Sequence, residues 1–133
     1  MRPDKLKTKI FLDSGDPGET KEALSLLGFL DGQTTNPTLI AKNPQAKERI
    51  ANGKKFSKEE VMSFYKEVVT ELSGLIPQGS ISVEVDANAQ SEAEKLFAQG
   101  EEMFTWIPNA HIKYPTTAAV LRQQRSQSSK AFG

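Results

Sequence analysis

The sequence predicts an α/β fold built on a parallel sheet. Short apolar segments alternate four times along the chain with longer segments whose apolar residues recur at helical spacing. Parallel strands need crossover connections, which are usually helices, so this alternation indicates right-handed βα units that share one sheet. The length of 133 residues suits a single domain.

The four predicted strands are short. They span residues 9–13, 29–33, 80–86 and 110–114. The third, SISVEVD, is the best defined because apolar and polar residues alternate strictly along it. The second is the weakest, since it runs directly into the turn-forming stretch TTNP.

The first helices are predicted mainly from the residues at their ends. One helix spans residues 19–27 and ends at Gly28, and a short helix opens at Thr38 behind the turn. A Ser-x-x-Glu capping box starts the longest helix, which covers residues 57–73 and ends at Gly74. These helices connect the first three predicted strands.

The rest of the chain shows weaker helical signals. A second capping box begins at Ser91, and the helix behind it is interrupted at Gly100 and resumes as far as Trp106. A final helix is predicted over residues 117–124. The polar segment 43–55 is predicted to be a loop or an irregular excursion.

Charge and composition divide the chain into one domain and a tail. We expect a domain over residues 1–120 and a polar, basic, disordered tail over residues 121–133. The formal net charge is zero, so no global field favours nucleic acid or an anionic membrane. The basic residues after Glu102 are not interleaved with aromatics, which favours a solvated tail over a nucleic-acid site.

Residue usage excludes several kinds of site. The chain has no cysteine, so it forms no disulfide, thiol nucleophile or cysteine metal site. Its one histidine, His111, makes a histidine-based metal centre improbable. No apolar run approaches the roughly 20 residues that span a bilayer, and no hydrophobic segment follows the basic N-terminus as in a signal peptide. We therefore expect no membrane partner and a cytoplasmic location.

Three ionisable residues lie near the carboxyl ends of predicted strands and on the same face of the sheet. Because strand side chains alternate, Asp13, Glu84 and Lys113 all point away from the face that the apolar residues present to the helices. Asn36 follows the second predicted strand at the same edge. Open α/β sheets and (β/α)8 barrels place their chemistry at this edge.

These residue types suit imine chemistry. A desolvated lysine can lose its charge, attack a carbonyl and form a Schiff base, while neighbouring carboxylates move the protons. Each residue alone also fits a structural role: Asp13 as a cap, Asn36 in a turn, Glu84 on a solvated face, and Lys113 reaching to solvent. Their convergence favours the functional interpretation, a Schiff-base site on an α/β sheet.

Four segments resemble the transaldolase family, including its small fructose-6-phosphate-aldolase-like members. They are FLDSGD at 11–16, DGQTTNPTLIAK at 31–42, SVEVDA at 82–87 and WIPNAHIKYPTT at 106–117. The resemblance covers about residues 8–120 and implies a TIM barrel that uses no metal or organic cofactor. It also implies a transferase of the pentose phosphate pathway, which moves a dihydroxyacetone unit between sugar phosphates through a lysine Schiff base.

The resemblance implies a role for each residue at the strand ends. Lys113 resembles the Schiff-base nucleophile, and Asp13 resembles the acid/base that handles the sugar hydroxyl proton during carbon–carbon cleavage. Glu84 resembles the carboxylate that works through a water during imine formation and hydrolysis. Asn36 matches the position that contacts a substrate hydroxyl, and Thr35 is a weaker neighbouring candidate.

The chain departs from the family in its length. A barrel of this type has about 250 residues, whereas four βα units make a partial, half barrel. The later strands, which carry the phosphate-binding and water-ordering positions of the family, have no counterpart here. Open sheet edges then predict half-barrel pairing, as a homo-oligomer or with a second chain, or else a marginal open sheet.

Two classes of function follow from this departure. The first is a transaldolase-like enzyme acting on substrates of the fructose 6-phosphate type, either by transfer or by simple aldol cleavage. The second is a truncated, non-catalytic half barrel or interaction subunit. An unrelated open-sheet protein that binds sugar phosphates is a third interpretation.

Overall fold

The four strands form one parallel sheet in the order in which they occur along the chain. The computed structural model describes residues 2–53, 57–86 and 93–114. Its elements, in chain order, are β1 (Phe11–Asp13), α1 (Pro17–Leu27), β2 (Gly32–Thr34), α2 (Pro37–Ala41), α3 (Pro44–Ala51), α4 (Lys58–Leu75), β3 (Ser80–Glu84), α5 (Ala93–Phe104) and β4 (Ala110–Lys113). The predicted fold class is confirmed, since parallel strands alternate with helices as in part of a TIM barrel.

The two faces of the sheet differ in chemistry as the alternation predicted. The helix-facing side carries Leu12, Ile81, Val83 and Ile112, which belong to or pack against the apolar core. The opposite side, here called the inner face, carries Phe11, Asp13, Gly32, Thr34, Ser80, Ser82, Glu84, His111 and Lys113. The strand register therefore separates the core from the candidate site.

Helix α4 provides the centre of the core. Phe64, Val68, Val69 and Leu72 recur at helical spacing and are buried against the sheet. Full burial of one such side chain contributes about 1.5–3 kcal/mol relative to leaving it exposed. This packing holds β3, which pairs with both β2 and β4, in the middle of the sheet.

Three helix ends follow their capping residues. Helix α1 begins two residues before the prediction because Asp16 accepts a hydrogen bond from Gly18 N and Pro17 occupies the first turn. It ends, as predicted, at Gly28, whose φ of 83° is a left-handed conformation. Helix α4 begins after Ser57, also as predicted, but continues past Gly74 and ends at Leu75.

The prediction of a loop or an irregular excursion over residues 43–55 is wrong for residues 44–51. Residues Pro44–Ala51 form α3, whose N-cap Asn43 accepts a hydrogen bond from Gln45 N at 2.8 Å. The buried Asn43 side chain also donates to Gly15 O at 2.8 Å, which ties α3 to the loop after β1. The polar composition of α3 concealed an asparagine–proline start signal.

The predicted interruption of α5 is also wrong. The helix runs continuously through Gly100. The Tyr114 ring lies where a side chain at that position would be, which accounts for a glycine in the middle of the helix. Phe97 packs on the same ring with a centroid distance of 4.5 Å. The capping serine Ser91, the helix over residues 117–124 and the tail over residues 121–133 lie outside the described residues.

Side chains close the amino end of the sheet with hydrogen bonds. The Asp31 carboxylate accepts from Arg2 Nε and from Ile10 N, each at 2.7 Å. Asn109 donates from Nδ2 to the Ile76 and Gly79 carbonyl oxygens, both at 2.9 Å. These bonds connect the segment before β1 with the segment before β2, and the segment before β3 with the segment before β4.

Candidate functional site

The predicted site residues lie at the opposite, carboxyl end of the sheet. Asp13 ends β1, Glu84 ends β3 and Lys113 ends β4. The strand register aligns Glu84 with Lys113, and it aligns Asp13 with Thr34. The structure therefore brings three of the predicted residues onto the inner face, as strand alternation predicted.

Lys113 and Glu84 lie side by side on the adjacent strands β4 and β3. Both side chains are half-buried, and adjacent strands lie about 4.8 Å apart. Within the part of the chain that the structure describes, no ion pair includes either residue. The ammonium and the carboxylate thus lie near each other without being bound together, an arrangement that can exchange a proton through a water.

Asp13 lies on the far side of the inner face. Its exposed carboxylate accepts a hydrogen bond from Thr34 Oγ1 at 2.6 Å. Three strand spacings, about 14 Å along the sheet, separate β1 from β4. A molecule that contacts both Asp13 and Lys113 must therefore extend over several carbon atoms, or the sheet must curve to bring them closer.

The Asn36 side chain makes a structural hydrogen bond with its amide oxygen and leaves its amide nitrogen without a partner among the described residues. Its Oδ1 accepts from Leu39 N at 2.8 Å and so caps α2, behind Pro37. The Asn36 Nδ2 makes no hydrogen bond to any described residue. The amide nitrogen is therefore available as a donor at the edge of the site, while the amide oxygen holds the helix.

Thr35 points away from the site. Its side chain is fully buried, and Oγ1 bonds to Tyr65 Oη and to Ser82 O, each at 2.7 Å. Contact of Thr35 with a substrate stays a prediction, and the hydroxyl is already engaged inside the protein. Thr34, one residue earlier, faces the inner face instead.

Sequence reasoning gave no role to three further inner-face residues. Thr34, Ser82 and His111 share one register row with Asp13, directly below Glu84 and Lys113. Strand alternation already assigned Ser82 and His111 to this face, but gave them no role. Thr34 was missed because the predicted second strand ended one residue too early.

A buried polar cluster fixes the loop behind Asp13. Gln33 is fully buried on the helix-facing side of β2. Its Nε2 donates to Ser14 O at 2.8 Å, and its Oε1 accepts from Thr20 Oγ1 at 2.7 Å. Because buried amides require partners, this cluster holds the residue after Asp13 in one place.

Neither a metal-type side-chain cluster nor a membrane-spanning helix is found among the described residues. No group of three histidine or acidic side chains among them has the arrangement of a metal site. Across residues 2–53, 57–86 and 93–114, no helix combines the length and the apolarity needed to cross a membrane. The chemistry of the described inner face is that of its amine, carboxylates, hydroxyls and imidazole.

Comparisons with known proteins identify the family of the chain. The family model described as transaldolase/fructose-6-phosphate aldolase matches residues 10–129. A probable transaldolase of Dehalococcoides mccartyi is 37% identical over 110 residues, which are 83% of this chain and 41% of that protein. Another, of Geotalea daltonii, is 35% identical over 124 residues, or 93% of this chain and 47% of that protein.

A third relative gives the same picture. The probable transaldolase of Sulfurihydrogenibium sp. is 34% identical over 114 residues, which are 86% of this chain and 42% of that protein. The chain thus spans somewhat less than half the length of these relatives. The family model, in contrast, matches most of the chain. The chain belongs to the transaldolase/fructose-6-phosphate aldolase family.

Proposed function

We propose that this chain supplies the nucleophilic half of a transaldolase-like site, which moves a dihydroxyacetone unit between sugar phosphates of the pentose phosphate pathway in the cytoplasm. The observation that carries the proposal is the placement of Lys113 on the inner face, at a strand end, with Glu84 as its register neighbour. Neither group is held in an ion pair with another described residue. An amine in this position can be reached by a carbonyl carbon.

Imine formation is the first step. The neutral Lys113 amine attacks the keto carbon of a ketose phosphate, and the addition product loses water to give a protonated imine. The former carbonyl oxygen must take up two protons to leave as water, one from the attacking nitrogen and one from solvent. Glu84, as the register neighbour of Lys113, can pass both protons to that oxygen through a water.

Carbon–carbon cleavage is the second step. Asp13 removes the proton from a sugar hydroxyl, that carbon becomes an aldehyde, and the electrons of the broken bond move into the imine to give an enamine. The aldose phosphate leaves. A second aldose phosphate then accepts the enamine carbon, and the reverse proton transfers and hydrolysis release the new ketose and the free lysine.

The proposal also requires a completed inner face. Phe11 is 46% exposed on that face, and neither β1 nor β4 pairs with a further strand of the described residues. Water on the open face would screen the charges of the site. We therefore include half-barrel pairing in the proposal, with a second copy or a second chain covering the inner face.

A non-catalytic half barrel is the second candidate. The observation that favours it is the exposure to solvent of Asp13, the residue that the cleavage step needs. In this alternative the strand-end residues persist on a subunit that performs no turnover.

Borohydride trapping separates the two candidates. The protein is incubated with fructose 6-phosphate and borohydride, and the adduct is located by intact mass and peptide mapping. The proposal predicts a reduced imine adduct on Lys113 that Lys113→Arg abolishes while leaving the fold intact. Folded protein without an adduct favours the non-catalytic candidate, and coupled turnover with erythrose 4-phosphate distinguishes transfer from simple cleavage.

A further inference from the structure

At Glu84, the hydrogen-bond ladder of β3 has no backbone partner on β2. The N–H groups of Ile81 and Val85 donate toward β4, to Asn109 O and Lys113 O. Residues of β3 with even numbers therefore donate toward β2, as Ser80 N does to Asp31 O. The N–H of Glu84 points toward β2 as well. At this level of the sheet, however, β2 has already ended.

The early end of β2 explains the missing partner. Thr35 N donates to Ser82 O at 3.0 Å, the last backbone bond between the two segments. The next residue, Asn36, caps α2, and Pro37 opens it. No carbonyl of β2 is then left to accept the Glu84 N–H, and an unpaired buried donor costs about 1–3 kcal/mol.

A tyrosine hydroxyl from α4 replaces that carbonyl. Tyr65 is 1% exposed, and its Oη accepts from Glu84 N at 3.0 Å. The same Oη lies 2.7 Å from Thr35 Oγ1, which lies 2.7 Å from Ser82 O. Glu84 and Ser82 of β3 are thus joined to each other through the side chains of Tyr65 and Thr35.

The direction of these bonds is fixed by chemistry. A carbonyl oxygen only accepts, so the single Thr35 hydroxyl proton goes to Ser82 O. Thr35 Oγ1 must therefore accept the Tyr65 hydroxyl proton, and Tyr65 Oη must accept from Glu84 N. Every donor in this chain of bonds has one acceptor.

We propose that Tyr65 and Thr35 form a hydroxyl relay that positions Glu84 for proton transfer at the Lys113 imine. Both are positioning residues, because neither reaches the inner face. This inference rests on the proposed function and adds a buried pair that holds the end of β3 where β2 has left the sheet. In this proposal Thr35 supports the site as a positioning residue.

The environment of Tyr65 fits this role. Burial is the largest influence on the phenol and, although hydrogen bonds oppose it, raises the pKa of Tyr65 to about 12. The hydroxyl therefore keeps its proton and its donor direction across the physiological range. Its ring packs against Trp106 with a centroid distance of 5.9 Å, so Tyr65→Phe retains the packing and removes only the relay.

The chain offers a matched control on the same helix. Ser73 is also buried on α4, and its Oγ donates to Asn109 Oδ1 at 2.7 Å at the amino end of the sheet. Ser73→Ala therefore removes a buried hydroxyl bond far from the site. Thr35→Val removes the relay from its other member, and Thr35→Ser restores the hydroxyl.

The experiment measures two quantities on each variant. The first is the rate of borohydride-trapped adduct on Lys113 as a function of fructose 6-phosphate concentration, at a temperature where all variants are folded. The second is backbone amide exchange at Glu84 by NMR. We expect Tyr65→Phe and Thr35→Val to lower the saturated trapping rate about tenfold, with the half-saturating concentration changed less than about twofold.

The controls define the outcomes that overturn the inference. Thr35→Ser and Ser73→Ala should each stay within about twofold of the wild-type rate, while Glu84 amide exchange accelerates only in the relay variants. Equal rates in Tyr65→Phe and Ser73→Ala would overturn the relay, as would unchanged Glu84 exchange in Tyr65→Phe. If the wild type forms no adduct, the proposed function fails and the positioning role fails with it, and the exchange measurement then shows whether Tyr65 holds the Glu84 amide.

Discussion

The two ends of the sheet use polar residues in opposite ways. At the amino end, the Asp31 carboxylate accepts from Arg2 Nε and Ile10 N at 2.7 Å each. At the carboxyl end, Glu84 and Lys113 are register neighbours, yet no ion pair of the described residues includes them. The Asp31 carboxylate is thus bonded within the protein, whereas the Glu84 carboxylate and the Lys113 amine are left for a ligand.

The contrast has an electrostatic counterpart. The Ile10 N–H, together with the Arg2 guanidinium, lowers the pKa of the Asp31 carboxyl from its usual value, although desolvation opposes this effect. The carboxylate is thus favoured in its charged, bonded form at the amino end. At the carboxyl end, hydroxyl and backbone bonds instead hold the strand ends beneath the inner face, as Thr35 does with Ser82.

The largest loss of stability is expected from breaking the amino end at Asn109. Asn109→Ala removes the Ser73 contact at 2.7 Å and the bonds to Ile76 O and Gly79 O. We expect the free energy of unfolding to fall by about 2–4 kcal/mol, because buried partners lose their bonds. Urea unfolding measures the change, and the exposed Asn52→Ala should change it by less than about 0.5 kcal/mol. Equal effects of the two variants would contradict this account of the amino end.

A smaller loss of stability is expected from a substitution at Gly100, in helix α5. In Gly100→Ala the new methyl group would overlap the Tyr114 hydroxyl, which outweighs the gain in helix propensity. We expect thermal or urea unfolding to show a loss of about 1–3 kcal/mol. Tyr114→Phe in the same chain should recover part of it.

Gly74 provides the matched control for that prediction. It also lies inside a helix, but a methyl group there meets no atom within 4 Å. Gly74→Ala should therefore stabilise the protein by about 0.5–1 kcal/mol. Effects of the same sign at Gly100 and Gly74 would show that the Tyr114 contact does not limit the packing of α5.

Acid should weaken the amino end through Asp31. Because the folded-state pKa of this carboxyl is lowered, the unfolded chain binds more protons at acidic pH, and stability rises with pH. The contribution is present above the unfolded pKa, about 3.9 for aspartate, and is lost as pH falls through the folded pKa. Unfolding between pH 2 and 7 should therefore show a shallower acid loss in Asp31→Asn than in the wild type. Identical slopes would show that Asp31 does not contribute to acid sensitivity.

The smallest effect on stability is expected at the nucleophile itself. Lys113→Met removes a half-buried ammonium that pairs with no carboxylate of the described residues, so unfolding should change by less than about 1 kcal/mol. The same variant should lose all imine trapping. A destabilisation as large as that of Asn109→Ala would mean that Lys113 is a structural residue and would erase the difference between the two ends.

Local patterns predicted much of this arrangement. Strict alternation in SISVEVD placed Glu84 opposite the core, and alternation in the last strand did the same for Lys113. The Ser57 capping box and the glycine at Gly28 marked helix ends that the structure confirms. Such features depend only on neighbours within a few residues along the chain.

The errors come from features that neighbours do not determine. Ending the second strand at residue 33 left Thr34 in the predicted turn, so strand alternation was not applied to it. Gly100 was taken as a break, since its real reason, the Tyr114 ring, is distant in sequence. The bond from Tyr65 to Glu84 spans 19 residues, and no periodicity signals which buried tyrosine will find a strand end.

The most direct test of the central claim is to map where fructose 6-phosphate becomes attached when borohydride is present. Several other lysines of this chain are exposed, including Lys21 and Lys66, and serve as internal controls within the same sample. We predict one saturable adduct, confined to Lys113 and lost on unfolding with urea before the sugar is added. Labelling spread over the exposed lysines, or equal in folded and unfolded protein, would contradict a carboxyl end organised for imine chemistry.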